Sequence, residues 1–370
     1  MNIYKIMSCV CVCICIGCTS SVRNTKLNVD LNQKVLLDSV TEYLQLDSLI
    51  LVSSDKYTIT NFDRIIYHER NIYILDKMQY AVFKVNTSER NFQRIINYRG
   101  SAQNEYLCIT DIAMDESENI YVFDSDSRKI NQYDANGQFI KTIKVVSGTS
   151  ITLSNNKIAI NTNQTEDSQI AVYALSGELL YQVMPYEKRS LQYTLNDMGS
   201  IVGMKNKFLY TSSFDFNIYQ ANESGSTQFV TLNFGDKQFD VQKLKELDYL
   251  AYQKMLMQNS DKVMSFRNLC VYNNLIFLST DSGEQLIYDT EQNIVMPISN
   301  VETPYKILFS SPLSVNTDGR FCIALNNSNI REGYLPWFKT NDTKLPQLQP
   351  VKENEKKDDE SFWLVMGHIR

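Results

Sequence analysis

Short apolar runs recur along this chain, bounded by Gly, Asn, Asp and Ser. The clearest pair is Asn71-Ile72-Tyr73-Ile74-Leu75-Asp76 and Asn119-Ile120-Tyr121-Val122-Phe123-Asp124, identical at four of six positions. Weaker copies begin at Asn156, Asn206, Asn273 and Gly319, so successive units are spaced by 48, 37, 50, 67 and 46 residues. A period of this size built from short strands predicts a propeller, because one small sheet cannot bury both of its faces alone.

Each unit reads as four strands. In the second, 109–115, 119–124, 129–133 and 139–145 fit, with Asn136-Gly137 as a hairpin turn whose two central residues take positive φ. The third unit has strands at 170–174 and 179–184 about Ser176-Gly177, and the fourth has one at 227–234 after Ser224-Gly225. The first adds 80–85 and 92–98, and the fifth adds 286–288 and 294–298. The sixth has 312–316, 321–325 and a displaced strand at 362–366. It lacks a fourth, which 42–46 near the N-terminus supplies. Residues 41–370 are therefore expected to form an all-β, six-bladed β-propeller of four-stranded blades. Pairing of the N- and C-terminal strands in the last blade removes the open edges of the ring.

Two segments break the period. At about 236–262, Leu244, Leu247, Leu250, Ala251, Met255 and Leu256 recur at helical spacing and predict a helical insertion between blades 4 and 5. The stretch 326–360 reads as a long loop with a charged tail.

The N-terminus has a different pattern. Lys5 precedes a mostly apolar run at 6–16, closed by Gly17 and Cys18. This is the layout of an export signal, and it resembles a bacterial lipoprotein signal in which the cysteine is acylated and becomes the new N-terminus. The run is too short to cross a bilayer as an uncleaved helix, which takes about 20 residues. Residues 1–17 are expected to be the signal peptide, 18–40 a linker from the lipid on Cys18. Cys15 stands where that pattern usually has Leu. In some lipoproteins similar to this pattern an acidic run after the cysteine resembles a surface-export tag; none follows Cys18, so the resemblance implies the periplasmic side of the outer membrane rather than the cell surface.

Composition narrows the partners. Lys5 is the only charged residue of 1–17, so the net charge of −6 becomes −7 without them. A mildly acidic chain without a basic block does not fit nucleic acid. Among the eight cysteines, Cys108, Cys270 and Cys322 remain once the signal is removed and Cys18 is acylated. Each has apolar sequence neighbours and reads as a small buried hydrophobe, with a Cys270–Cys322 disulfide as the alternative that an oxidising compartment permits.

Chemistry is sparse. There are two histidines, His68 and His368, and no HExxH, paired CxxC, phosphate-binding loop or GxSxG. No metal site and no cofactor are expected. Asp76, Asp124 and Asp289 stand at strand ends, where carboxylates accept nearby backbone amides. The run at 124–127 lacks the glycine and distal glutamate of a calcium loop.

The NIYILD and NIYVFD strands, the YDANGQFIKTI hairpin, the helical insertion and the last apolar strand together resemble the six-bladed β-propeller lipoproteins of gut-type Gram-negative bacteria. These are largely domains of unknown function, distantly NHL-like. The family's glycine-rich loop between the first two blades corresponds to 99–106, where Gly100, Glu105 and Tyr106 match and Ser101, Ala102 and Asn104 replace glycines. The resemblance implies a fold and an address rather than a reaction.

Arg99, Glu105 and Tyr106 are the candidate ligand-binding residues, since an Arg, a carboxylate and an aromatic at a tunnel mouth can hold a sugar or a peptide carboxylate. Trp337, in Tyr334-Leu335-Pro336-Trp337-Phe338, is a fourth candidate, able to stack on a sugar or anchor a partner. The alternative is that Glu105 and Tyr106 merely order their loop. The expected function is a monomeric, lipid-anchored scaffold for a glycan, peptide or envelope-protein partner. The competing expectation is a carbohydrate-active or related enzyme using carboxylates and Tyr at the funnel.

Overall fold

The structure, a computed structural model, describes residues 25–162, 166–185, 195, 199–204, 206–244, 247–301, 308–326 and 361–370. The chain begins with β1 (Thr25–Asn28), a short helix α1 (Leu37–Thr41) and β2 (Leu44–Ser53). Groups of four strands follow. They are β3 to β6 (Arg64–His68, Asn71–Asp76, Ala81–Asn86, Asn91–Ile96) and β7 to β10 (Asp111–Met114, Ile120–Asp124, Lys129–Tyr133, Phe139–Lys144). Next come β11 to β14 (Gly148–Ser154, Lys157–Thr162, Ser168–Ala174, Leu179–Pro185) and β15 to β18 (Ile201–Met204, Lys207–Tyr210, Asn217–Asn222, Gly225–Asn233). Helix α2 (Tyr249–Gln258) precedes β19 to β22 (Phe266–Tyr272, Leu275–Thr280, Gln285–Asp289, Ile294–Pro297). The chain closes with β23 (Leu313–Val315), β24 (Arg320–Asn326) and β25 (Ser361–Ile369).

This is an all-β, propeller-like arrangement of small antiparallel sheets. Hydrogen bonding gives three four-stranded sheets, one five-stranded sheet (β1-β18-β17-β16-β15) and one of eight strands in the order β23-β24-β25-β2-β6-β5-β4-β3. The eight-stranded sheet is joined at its middle by a single residue pair, Ser53 with Asn91. The first strands β3, β7, β11, β15, β19 and β23 contact one another in that cyclic order, and β23 returns to β3.

Apolar side chains explain the stacking. In the first group, Tyr73 and Leu75 of β4 face the second group with Ile112, Ile120 and Val122. Ile72 and Ile74 face the other way, against Cys322, Ala324, Phe362 and Leu364. A strand buried on both faces reads as a continuous apolar run rather than an alternation, which is why NIYILD is so conspicuous. Between the halves of the eight-stranded sheet, Phe92 and Phe62 meet Phe362 at ring-centroid distances of 5.4 and 5.1 Å. Such pairs contribute about 0.5–1.5 kcal/mol each beyond their burial.

The chain ends pair as β2 with β25, antiparallel from Leu44–Ile369 to Ser53–Ser361. The strand runs further than the expected 42–46. The expected linker 18–40 is described from residue 25, and from there it is packed: β1 lies parallel to β18, and Val35, Leu37 and Val40 are buried. The insertion holds α2, capped by Asp248, whose carboxylate accepts the Ala251 amide at 2.8 Å. Tyr252 and Met255 are its buried residues, while Leu250 is exposed. A 3-10 turn at Val241–Leu244 breaks the helical phase, so Leu244 and Leu250 do not share one face. The 134–137 turn also differs from the reading above. Gly137 has φ +79° and Asn136 is not left-handed. Gly137 donates to Asp134 O at 2.9 Å, and the Asp134 carboxylate takes the amides of Asn136 and Gln138.

Candidate functional site

The first strands bring their starting residues together at one end of the ring. Arg64 opens β3, Asp111 opens β7 and Gly199 lies two residues before β15. In the cyclic order, β15 lies three strands from β3 in either direction. Yet a Cβ placed on Gly199 would sit 2.0 Å from Arg64 Nη1, and 3.0 Å from the Cα of Asn268 in β19. The Arg64 guanidinium therefore reaches over the ring axis and rests on the bare backbone opposite. Gly199 meets two demands at once: no side chain under the guanidinium, and φ +68°. Its carbonyl also accepts the Leu269 amide at 2.8 Å, tying β19 into the same end.

Asp111 anchors this arrangement. It is fully buried, and its oxygens accept the amides of Ile112 at 2.8 Å and Ile151 at 3.0 Å, linking β7 to β11. Arg64 Nε lies 3.7 Å from Asp111 Oδ1, an ion pair too long for a hydrogen bond. The Arg64 side chain is 14% exposed. Its Nε is buried without a hydrogen-bond partner, and so is the Nε of Arg267, next to Asn268.

Around this pair lie groups with displaced proton affinities. Burial holds the Lys77 ammonium below its ordinary value, opposed by Asp111, Asp63 and Cys108. Burial raises the Asp63 carboxyl, opposed chiefly by the Lys77 amide it accepts at 2.7 Å. Asp281 is raised by burial too, and accepts the amides of Met264 and Ser265. The Cys108 thiol is pushed up to about 11, first by burial and then by Asp124 and Asp126. Its Sγ donates to Asp126 at 3.4 Å, so it sits in a polar setting rather than the apolar one its neighbours imply. Cys270 and Cys322 are free thiols, both raised by burial.

The strand-end aspartates act as clamps. Asp76 accepts the Thr60 amide and hydroxyl at 2.7 and 2.6 Å. Asp124 accepts the Leu107 amide at 2.8 Å and the Ser127 hydroxyl at 2.6 Å. Asp289 takes the amides of Glu291 and Gln292.

Arg99, Glu105 and Tyr106 lie elsewhere than the axis. Tyr106 is fully buried; its hydroxyl donates to Tyr80 O at 2.7 Å and accepts the Tyr98 amide at 3.0 Å. The Glu105 carboxylate accepts the Ala102 amide within its own loop, and Glu105 O accepts from Lys129 and Asn131 of β9. Asn104 O and Gln103 O accept from Tyr133 of β9 and Thr142 of β10. Arg99 is exposed, stacked 3.8 Å from the Tyr80 ring centroid. The loop thus lies on the outer strands of the second sheet, not at the mouth of the ring. The reason is topological: the chain leaves the outer strand β6 and must cross β10 and β9 before reaching β7. Cys18 and Trp337 lie outside the described residues, as does the loop from 327 to 360.

The residues missed by the sequence reading are Arg64, Gly199 and Arg267. The available signal was a charged residue at the start of an inner strand, in Phe62-Asp63-Arg64-Ile65 and Ser265-Phe266-Arg267. Among the described residues, no group of His, Cys, Asp and Glu is placed to hold a metal ion, and no helix is long and apolar enough to cross a membrane.

A disc of small sheets with a charged axial end defines a β-propeller domain. Residues 36–365 match the family model DUF4934, a domain of unknown function, and the chain belongs to that family. Among solved structures it is similar to a protein of Bacteroides fragilis NCTC 9343 classed as exported. That match has a TM-score of 0.70 and 17% identity, over 94% of this chain and 100% of the other. A member of the DUF4221 family from Bacteroides vulgatus has a TM-score of 0.56 and 10% identity, over 88% of this chain and 98% of the other. No curated protein matches.

Proposed function

We propose that this chain is a lipid-anchored, exported cell-envelope propeller of six four-stranded blades, acting as a ligand-binding or protein-interaction module. The blade count is favoured by the six first strands in cyclic contact and by the single-pair junction that divides the eight-stranded sheet into two fours. The cluster packed between those two fours has the same two-sided character as the others. Paired β2 and β25 then form the closing blade with β24 and β23. The anchor reading is supported by the Gly17-Cys18 motif behind an apolar run, and the lack of an acidic run after Cys18 favours the periplasmic side of the outer membrane.

The observation that carries the binding role is Arg64, held across the axis with its buried Nε lacking a hydrogen bond. A buried donor without a hydrogen bond costs free energy, and a bound acceptor is one way such a group is satisfied. Binding is favoured over acid–base work because Asp63, Asp111 and Asp281 each accept backbone amides, which leaves them poor candidates for proton transfer. The test is a glycan and peptide array probed with the full chain in detergent. A specific hit lost in Arg64→Gln and retained in Arg99→Ala supports the axial site. A hit that survives Arg64→Gln and disappears in Arg99→Ala moves the site to the 99–106 loop. Mass spectrometry of the chain from its native host checks for acyl groups on Cys18.

A further inference from the structure

Two guanidinium groups without hydrogen-bond partners at Nε stand at the same end of the ring. Arg64 comes from the first strand of one sheet, and Arg267 from the first strand of a sheet whose Asn268 backbone lies against Gly199. The nearest carboxylate to Arg64, Asp111, already serves two backbone amides and stands 3.7 Å away. The nearby Asp281 serves two more amides beside Arg267. Lys77 adds a further cation close to Asp111 and Asp63. The local acids are thus committed to structure, while Arg64 and Arg267 each keep a guanidinium Nε without a hydrogen bond. Guanidinium donors form their strongest hydrogen bonds with oxyanions, and a site with few water competitors strengthens them further.

We propose that the axial site recognises an oxyanion on its ligand, a carboxylate, phosphate or sulfate group held by Arg64 and Arg267. This rests on the ligand-binding reading above and names the chemistry that the site takes. Gly199 is part of the design, because any side chain there would lift Arg64 off its seat. The bound group offsets the positive charge that Asp111, 3.7 Å from Arg64 Nε, leaves partly unmatched.

The test is isothermal titration of the full chain in detergent with inorganic phosphate, sulfate and acetate, at constant ionic strength maintained with chloride. Saturable one-to-one binding of at least one oxyanion is expected, weakened about tenfold or more in Arg64→Gln and in Arg267→Gln, and unchanged in Lys144→Gln. Phosphate or sulfate alone identifies a tetrahedral group, and acetate a carboxylate. Arg64→Lys retains the charge with fewer donors and gives intermediate affinity, which separates loss of contacts from loss of fold should Arg64→Gln melt early. Absence of saturable binding by all three ions overturns the inference, as does affinity in both arginine variants equal to that of the unsubstituted chain. If a neutral array ligand depends on Arg64 while no oxyanion binds, the oxyanion chemistry is wrong and the binding module stands.

Discussion

Gly199→Ala is the sharpest perturbation of the axial end. At φ +68°, an L side chain costs about 1–2 kcal/mol from backbone strain alone. The added Cβ would meet Arg64 Nη1 at 2.0 Å and Cζ at 2.9 Å, with the Asn268 Cα at 3.0 Å on backbone that cannot yield. The side chain of Arg64 must therefore leave. A fully buried ion pair loses about 3–5 kcal/mol when one partner goes. Arg64 retains some access to water, 14% exposed against 0% for Asp111, so its displacement loses less, about 1–3 kcal/mol. The sum is about 2–5 kcal/mol by urea unfolding followed by far-UV circular dichroism. In an Arg64→Ala background the clash with the guanidinium vanishes while the backbone strain and the Asn268 contact remain, so Gly199→Ala should cost about 1–3 kcal/mol less than in the unsubstituted chain. Additive effects, within about 0.5 kcal/mol, would show that Arg64 does not rest on Gly199, and the reasoning would fail.

Three further outcomes are expected. Tyr106→Phe leaves Tyr80 O without that donor and the Tyr98 amide without its acceptor, lowering stability by about 1–3 kcal/mol; an unchanged melting temperature would mean that the hydroxyl does not order the loop. Burial, with a neighbouring carboxylate, holds the hydroxyls of Tyr73, Tyr121 and Tyr219 well above the ordinary phenol value of 10.0, and burial pushes Tyr133 up to about 12. The folded chain keeps these protons where the unfolded chain loses them, so stability falls as pH rises above 10; phenolate absorbance showing all tyrosines ionising together near pH 10 in the folded state would refute this. Cys108, with its thiol at about 11, should react with a disulfide reagent at pH 8 far more slowly than a free cysteine, and Asp126→Asn should accelerate it; equal rates would place Cys108 outside the carboxylate pair.

The strands were legible where burial on both faces makes an unbroken apolar run, as in β4 and β8, and where Gly or Asn marks a turn. They were less legible where burial is partial. In β2 the residues between Leu44 and Val52 are all partly buried, so no alternation announces the strand, and only 42–46 was assigned. The four-residue β1 carries no pattern of its own and exists because the edge of β18 accepts it. The candidate site was harder, since it depends on which strand starts meet across a ring. Arg64 and Gly199 are 135 residues apart, and neither sits in a motif. The 99–106 loop was conspicuous because Gly100, Glu105 and Tyr106 serve the loop itself. A Cβ on Gly100 would strike the Glu105 carboxylate at 2.1 Å, and Tyr106 pins both ends of the crossing.

The most direct measurement is a crystal structure of the chain grown with inorganic phosphate. Six first strands should surround the axis, β2 should lie against β25, and a phosphate should sit within hydrogen-bonding distance of Arg64 and Arg267 above Gly199. A different number of sheets around the axis, or Arg64 turned out to solvent with the axis open, would contradict the account.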